Sequence, residues 1–253
     1  MTPKCLGVLS SASRDHYLSI KIATTASHVQ DARRYLSLGS MIVSKSGAPS
    51  ESGKLGKLSH QQRLGLAVTL ASTVLQFYNS PWLDDLWSKR DICFFLNGID
   101  TENRPLISEP FITRTFPTKL AASRPTQSKN ESTNQFLSHL IFNKTLFALG
   151  IVLIELCLNK PFEDLRSSMP PMNRAQASVV DDYQVAVSNI DAVYMKGGSE
   201  YGYVVQRCLR CEFGVQDNKR LDLDTFRSLV YEDVVAPLEE DYKRYSIYWG
   251  IST

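Results

Sequence analysis

Cys208 and Cys211, spaced as C-x-x-C, come nearest in this chain to residues whose type and spacing do chemistry. Such a pair offers two reactions, metal ligation and thiol redox. Zinc takes about four nitrogen or sulfur ligands. The four histidines (His16, His28, His60 and His139) are dispersed, so no second pair completes such a site. Redox work needs two neighbouring thiols, and a helix would bring positions three apart onto one face. The plainer expectation is that both cysteines pack a helix end. No G-x-S-x-G elbow and no phosphate-binding P-loop occurs. Trp82 and Trp87 flank Asp84-Asp85. Rings beside acids can form a ligand platform, but the expected role is to wedge a long helix against the central one. Lys54, Lys57 and Arg63 are sparse and read as a solvated face.

Composition bounds what these residues serve. The 253 residues suit one large domain, or one with a loosely packed N-terminal extension. A hydrophobic share of 43% supplies an ample core. The net charge of +2, with acids and bases interspersed, gives no nucleic-acid footprint. Five scattered cysteines, an odd number, fit free thiols in a reducing compartment. Residues 1–10 hold one lysine and no long apolar run, unlike a secretory signal. The triplets at Asn130 and Asn143 that resemble glycosylation sites are therefore read as fortuitous, and the expected location is intracellular, in the cytoplasm.

The element that must position everything else is 143–160. Asn143 is a suitable N-cap, and residues 146–158 are apolar or glycine except Glu155. A helix apolar all round is buried on several sides or lies in a membrane. This one falls short of the ~20 residues a bilayer needs, so no membrane span is expected. Glu155 then requires a buried partner. Before it, Ser59-His60-Gln61-Gln62 has capping-box form and opens an apolar face from Leu64 to Tyr78, ended by Pro81. Residues 17–22 read as a strand and 28–38 as a helix; residues 44–57 and 117–133 read as loops. The run 91–96, closed by Asn97-Gly98, reads as one hairpin arm, with 111–114 as the other. Beyond the central helix, 174–195 reads as one helix closed by Lys196-Gly197-Gly198. Ser199 opens the next, with Tyr203, Val204, Cys208 and Leu209 inward. Asp222 or Asp224 caps a further helix that Pro237 bends or restarts.

That order of elements resembles the helical lobe of protein kinases, and Leu149-Gly150-Ile151-Val152-Leu153-Ile154-Glu155-Leu156 is similar to the kinase phrase F-G-V-x-L-x-E-L. A fungal family of unknown function with a kinase-like helical lobe resembles the chain more closely. The likeness is carried by 64–75 before Pro81-Trp82-Leu83, by Trp87-Ser88-Lys89 with Asp91-Ile92, and by 148–161. It continues in Cys208-Leu209-Arg210-Cys211-Glu212-Phe213 and in 231–240, where Val234-Val235-Ala236-Pro237-Leu238-Glu239 is most characteristic. The resemblance implies a mainly α fold. Residues 58–246 would form a kinase-like C-lobe with a short β-hairpin, and residues 1–57 a reduced or remnant β region.

Phosphoryl transfer requires a glycine-rich cover, a Lys–Glu pair, a catalytic-loop Asp and Asn, and a metal-binding Asp. No G-x-G-x-x-G precedes residue 60. Lys21 resembles the strand lysine that holds phosphates, but no glutamate follows until Glu51, and a solvated strand lysine is the expectation. Lys89-Arg90-Asp91 invites comparison with H-R-D. One register puts Asp91 on the catalytic Asp with Leu96 at the loop Asn; the other, which fits the flanking elements better, puts Leu86 on the catalytic Asp and leaves no general base. Asp91 is expected to cap a turn or to pair with Arg90 or Lys89. Glu109-Pro110-Phe111 stands where D-F-G belongs, and Thr145 where kinases keep an anchoring Asp. The resemblance thus implies a non-catalytic, pseudokinase-like interaction or signalling module. It would have an unidentified protein partner, no cofactor and no ATP binding. Its rival is an atypical ATP-binding serine/threonine kinase-like enzyme using Lys21 and Asp91. Gly150 is expected to permit close helix packing.

Overall fold

The alternating character of residues 17–22 becomes a strand in the computed structural model, which describes residues 5–11, 14–21, 35–42, 58–80, 83, 87–99, 105–107, 110–112, 141–168, 179–213 and 223–248. The chain divides into two compact units, Met1–Arg34 and Tyr35–Thr253. The first contains an antiparallel pair, β1 (Cys5–Ser11) and β2 (Arg14–Lys21), with Val8 opposite Ser19 and Leu9 opposite Leu18.

The second unit opens with β3 (Tyr35–Ser37) and the one-turn helix α1 (Leu38–Met41), whose cap Ser37 accepts from Ser40 N at 3.2 Å. The helix expected over 28–38 is thereby corrected at its described end. Tyr35, Leu36 and Ser37 pair with Phe95, Phe94 and Cys93, and cross-strand pairing overrides their mixed local propensity. Residues 28–34, and the loops expected at 44–57 and 117–133, lie outside the described residues. β3 and α1 belong with the helical unit, although both fall within the 1–57 stretch.

Helix α2 (His60–Phe77) begins where the capping box requires: Gln62 N donates to Ser59 Oγ at 3.1 Å, and Ser59 N donates to Gln62 Oε1 at 2.8 Å. Leu64, Ala67, Leu70, Ala71 and Val74 form its buried stripe. Strand β4 (Ile92–Ile99) then takes β3 along one edge, and β5 (Pro105–Ile107) and β6 (Phe111–Ile112) along the other. Phe111 does start a second arm, opposite Cys93. Asn97-Gly98, however, is no turn: β4 runs through it, and the register shifts between Leu96 and Gly98, so a bulge absorbs the dipeptide.

Helix α3 (Lys144–Leu158) is capped by Asn143, whose Oδ1 accepts from Leu146 N at 3.0 Å and whose Nδ2 donates to Tyr78 Oη at 2.8 Å. It is buried on nearly every side, packing against α2 and most extensively against α6 (Ile190–Arg210); α4 (Phe162–Ser167) and α5 (Val179–Ser188) lie between in sequence. A Cβ at Gly150 would meet Leu209 Cδ2 at 2.8 Å and Cys208 Cβ at 3.2 Å, so the α3–α6 approach depends on its absence.

The single helix expected over 174–195 is two. Asn189 Nδ2 donates to Val185 O at 2.8 Å, the carbonyl its own N–H would meet in a continuing helix, and α5 ends there. Residues 174–178 lie outside the described residues. Gly198, at φ +85°, leaves helical geometry inside α6, at the point where one helix was expected to close and Ser199 to open the next. Tyr201, Val204, Val205, Cys208 and Leu209 are buried, whereas Tyr203, expected inward, is 52% exposed against the Tyr194 ring.

Helix α7 (Leu223–Val230) carries Asp224 in its first turn; Asp222 lies outside the described residues. It passes into a π-helical turn (Tyr231–Val235) and then α8 (Ala236–Tyr248). Pro237 has no N–H, and its ring crowds the carbonyl four residues back, that of Asp233. Arg207 serves that carbonyl from α6, with Nη1 at 3.3 Å from it and at 3.0 Å from Asp233 Oδ1. The unit is mainly helical, with a small antiparallel sheet made by β3 to β6. Among the described residues no helix is long and apolar enough to cross a membrane.

Candidate functional site

The segment 87–91 leads into β4; Trp87 and Lys89 turn inward, whereas Arg90 is exposed. Trp87 is buried and donates from Nε1 to Thr145 O, in the first turn of α3, at 3.1 Å. Asp91 Oδ2 accepts from Ser88 N at 2.8 Å and from Ser88 Oγ at 3.1 Å, while Asp91 N donates to Ser88 O at 3.0 Å. The carboxylate therefore closes its own turn. Lys89 O accepts from Gly39 N at 3.1 Å, which joins the segment to α1.

Lys89 is the unusual residue. A lysine only 9% exposed loses hydration that must be replaced by acceptors. Its Nζ donates to Glu155 Oε1 on α3 and to Glu163 Oε2 on α4, the latter at 2.6 Å. Glu155 Oε1 also accepts from Phe162 N at the start of α4, while Oε2 is buried with no hydrogen-bond partner among the described residues. Burial raises the pKa of Glu155 against the pull of Lys89 and Phe162 N. At half-exposed Glu163 burial also pushes upward, but the hydrogen bond from Lys89 prevails and its pKa is lowered. One ammonium thus clamps the 87–91 segment, α3 and α4 together. Enclosed and doubly engaged, it is not presented to a solute.

Glu155 lies in the core with Lys89 as its partner; the two are 66 residues apart. Nothing in the local pattern around Lys89 announced that role. The available signal was indirect: a lone acid in an apolar helix needs a cation, and Lys89 sits between Trp87 and an apolar strand. Lys21 stands at the end of β2, with its Cα opposite Cys5, in the other compact unit. Trp82, Asp84, Asp85 and Glu109 lie outside the described residues.

Cys208 and Cys211 are both buried at the end of α6. Cys211 adopts the left-handed conformation (φ +54°) and donates from its N–H to Arg207 O at 2.7 Å, closing the helix. Burial pushes the Cys211 thiol up to about 11 and that of Cys208 further still, opposite to what a reactive thiol requires. Among the described residues no group of three or more His, Cys, Asp or Glu is placed to hold a metal.

A family profile described as a domain of unknown function (DUF7580) matches residues 8–245, nearly the whole chain. No curated protein and no solved structure matches it.

Proposed function

We propose, from the premise that the chain belongs to the DUF7580 family, that it is a non-catalytic, kinase-like module that works by binding another protein. The helical lobe of this reading is the run of α2, the 87–91 segment, the small sheet, and α3 with its Gly150 and Glu155. The observation that carries the non-catalytic part is the engagement of Lys89-Arg90-Asp91, the segment that resembles a catalytic loop. Asp91 is spent on Ser88, and Lys89 on Glu155 and Glu163. A general base must reach a substrate proton within hydrogen-bonding distance, and a carboxylate closing its own turn serves structure instead.

The test is a thermal-shift titration of the full chain with ATP and Mg²⁺. A ligand that binds only the folded state raises its stability, so an interaction module shows no nucleotide-dependent shift while retaining a specific protein from cell extract. A substantial shift that Lys21→Ala abolishes would instead support the ATP-binding rival and overturn this reading.

A further inference from the structure

We propose that α4 is a proton-sensitive latch, docked by a cluster of ion pairs that closes more firmly as pH falls from neutral to mildly acidic. The cluster joins Lys89 of the 87–91 segment, Glu155 of α3, Glu163 and Arg166 of α4, and Asp182 of α5.

Helix α4 is six residues long and buries two side chains, Phe162 and Leu165. So short a helix does not hold its shape alone in water, so its anchors decide whether it stays. Three of them are polar. Phe162 N donates to Glu155 Oε1, Lys89 Nζ donates to Glu163 Oε2 at 2.6 Å, and Arg166 Nη2 donates to Asp182 Oδ1. The Arg166 guanidinium also stands over the Phe162 ring, 5.9 Å from its centroid.

These anchors do not balance. Three carboxylates meet two cations, so docking gathers one negative charge in excess. The excess falls where water is least available, because Glu155 is 1% exposed. Its Oε1 takes both Lys89 and Phe162 N, while Oε2 is buried with no hydrogen-bond partner among the described residues. A buried anion without full compensation favours its neutral form. One proton on Glu155 cancels the excess and leaves Oε1 as acceptor for both donors.

The surrounding groups leave that imbalance standing. Exposed Arg90 favours a charged Glu163, whereas Asp181 disfavours a charged Asp182. Glu163 opposes charge on both Glu155 and Asp182. From α6, Tyr201 Oη donates to Leu153 O at 2.9 Å, and burial raises both Tyr201 and Cys157 of α3, so neither is charged at neutral pH. Arg63 of α2 acts on Cys157.

Burial raises the pKa of docked Glu155 and of docked Asp182, and undocking returns water to both. The docked state therefore holds protons more tightly, and docking strengthens as pH falls towards the ordinary values of 4.5 and 3.8. Glu163 acts the other way. Burial pushes it up, but the hydrogen bond from Lys89 prevails, so its share of docking is lost only as pH falls below 4.5. Mild acid closes the latch, and strong acid opens it.

The experiment is hydrogen–deuterium exchange of the full chain between about pH 8 and about pH 5.5, corrected for the intrinsic pH dependence of amide exchange. Protection is read at α4, with α3 as internal reference; the Phe162 amide, bound to Glu155, is the direct reporter. Relative protection of α4 should rise about threefold or more across that range, within the limit of about tenfold per pH unit for one proton. Glu155→Gln keeps a carbonyl for Lys89 and Phe162 N but has no charge to titrate, so it should flatten most of the profile. Asp182→Asn should remove part of the remainder. A parent profile that is level or falls towards about pH 5.5 overturns the latch, whether or not either variant folds. So does a rise that both variants leave unchanged. The latch does not rest on the kinase-like reading, since its readout needs neither nucleotide nor partner.

Discussion

Lys89 and Glu155 are 66 residues apart, and their charged heads meet inside the protein. The pair joins a connecting segment to the central helix, and Glu163 extends it to α4. This relationship turns an acid that looked misplaced in an apolar helix into a structural requirement.

Had Glu155 stood unpaired, Glu155→Leu would be harmless. With the pair present, that variant strands Lys89 on half-exposed Glu163 and leaves Phe162 N without its acceptor. The expected loss is about 3 kcal/mol, the lower end for breaking a buried ion pair. The double variant Lys89→Met/Glu155→Leu should recover most of it, since apolar replacements of a buried pair are often neutral. Urea unfolding of the two single variants and the double variant closes the cycle; additive losses would show the pair is not coupled.

Gly150→Leu should not fold. The first added carbon already lies 2.8 Å from Leu209 Cδ2 and leucine adds three more behind it, so the cost exceeds the about 1 to 3 kcal/mol of ordinary overpacking. Gly150→Ala should fold with reduced stability and regain part of it when combined with Leu209→Ala. A cooperatively melting Gly150→Leu protein, seen by circular dichroism, would remove α3 from the centre of the fold.

Trp87→Phe keeps an aromatic ring but removes the Nε1 donor that ties the 87–91 segment to Thr145 O on α3. A lost hydrogen bond of this kind is worth about 0.5 to 1.5 kcal/mol, and the missing ring volume adds to that. The chemical denaturation midpoint should drop accordingly. An unchanged midpoint would mean that Trp87 fills space only.

Burial pushes the Cys157 thiol from 9.0 to about 11. The folded state therefore holds this proton more tightly than the unfolded chain does. The resulting stability is fully present below pH 9 and is lost as pH rises towards 11; at most it amounts to about 2 to 3 kcal/mol. Between about pH 8 and about pH 10.5, the parent protein should lose more stability than Cys157→Ala does. Equal losses would place the alkaline sensitivity elsewhere.

Features written within a few residues were legible from sequence. Ser59 and Gln62 announce the start of α2, Asn143 that of α3, and Lys196-Gly197-Gly198 the break inside α6. What escaped depended on partners far along the chain. Lys89 carries no local mark of the carboxylates it meets. Tyr35–Ser37 has mixed propensity and becomes strand because β4 lies beside it. Asn97-Gly98 has the composition of a turn, but its neighbours in β5 draw it into the sheet. Tyr203 was misplaced because the buried stripe runs through Tyr201, Val204, Val205 and Cys208, so Tyr203 falls one position off it, where its ring meets Tyr194. At the candidate site the same division holds: the turn closed by Asp91 and Ser88 spans four residues, whereas the Lys89 clamp spans three separate elements.

The two-way hydrogen bonding of Asn143 bears on the order in which the chain acquires its structure. Its oxygen caps α3 while its amide holds Tyr78, 65 residues earlier. Starting a helix is unfavourable, and this start is completed only when a long loop closes, which slows folding. The helices that pack extensively on α2, namely α3, the π turn and α8, all come later in the chain. A nascent polypeptide that has emerged only as far as Ile141 therefore displays Leu64, Ala67, Leu70 and Val74 with no helical partner yet made, and its safe passage depends on the speed of synthesis or on a chaperone.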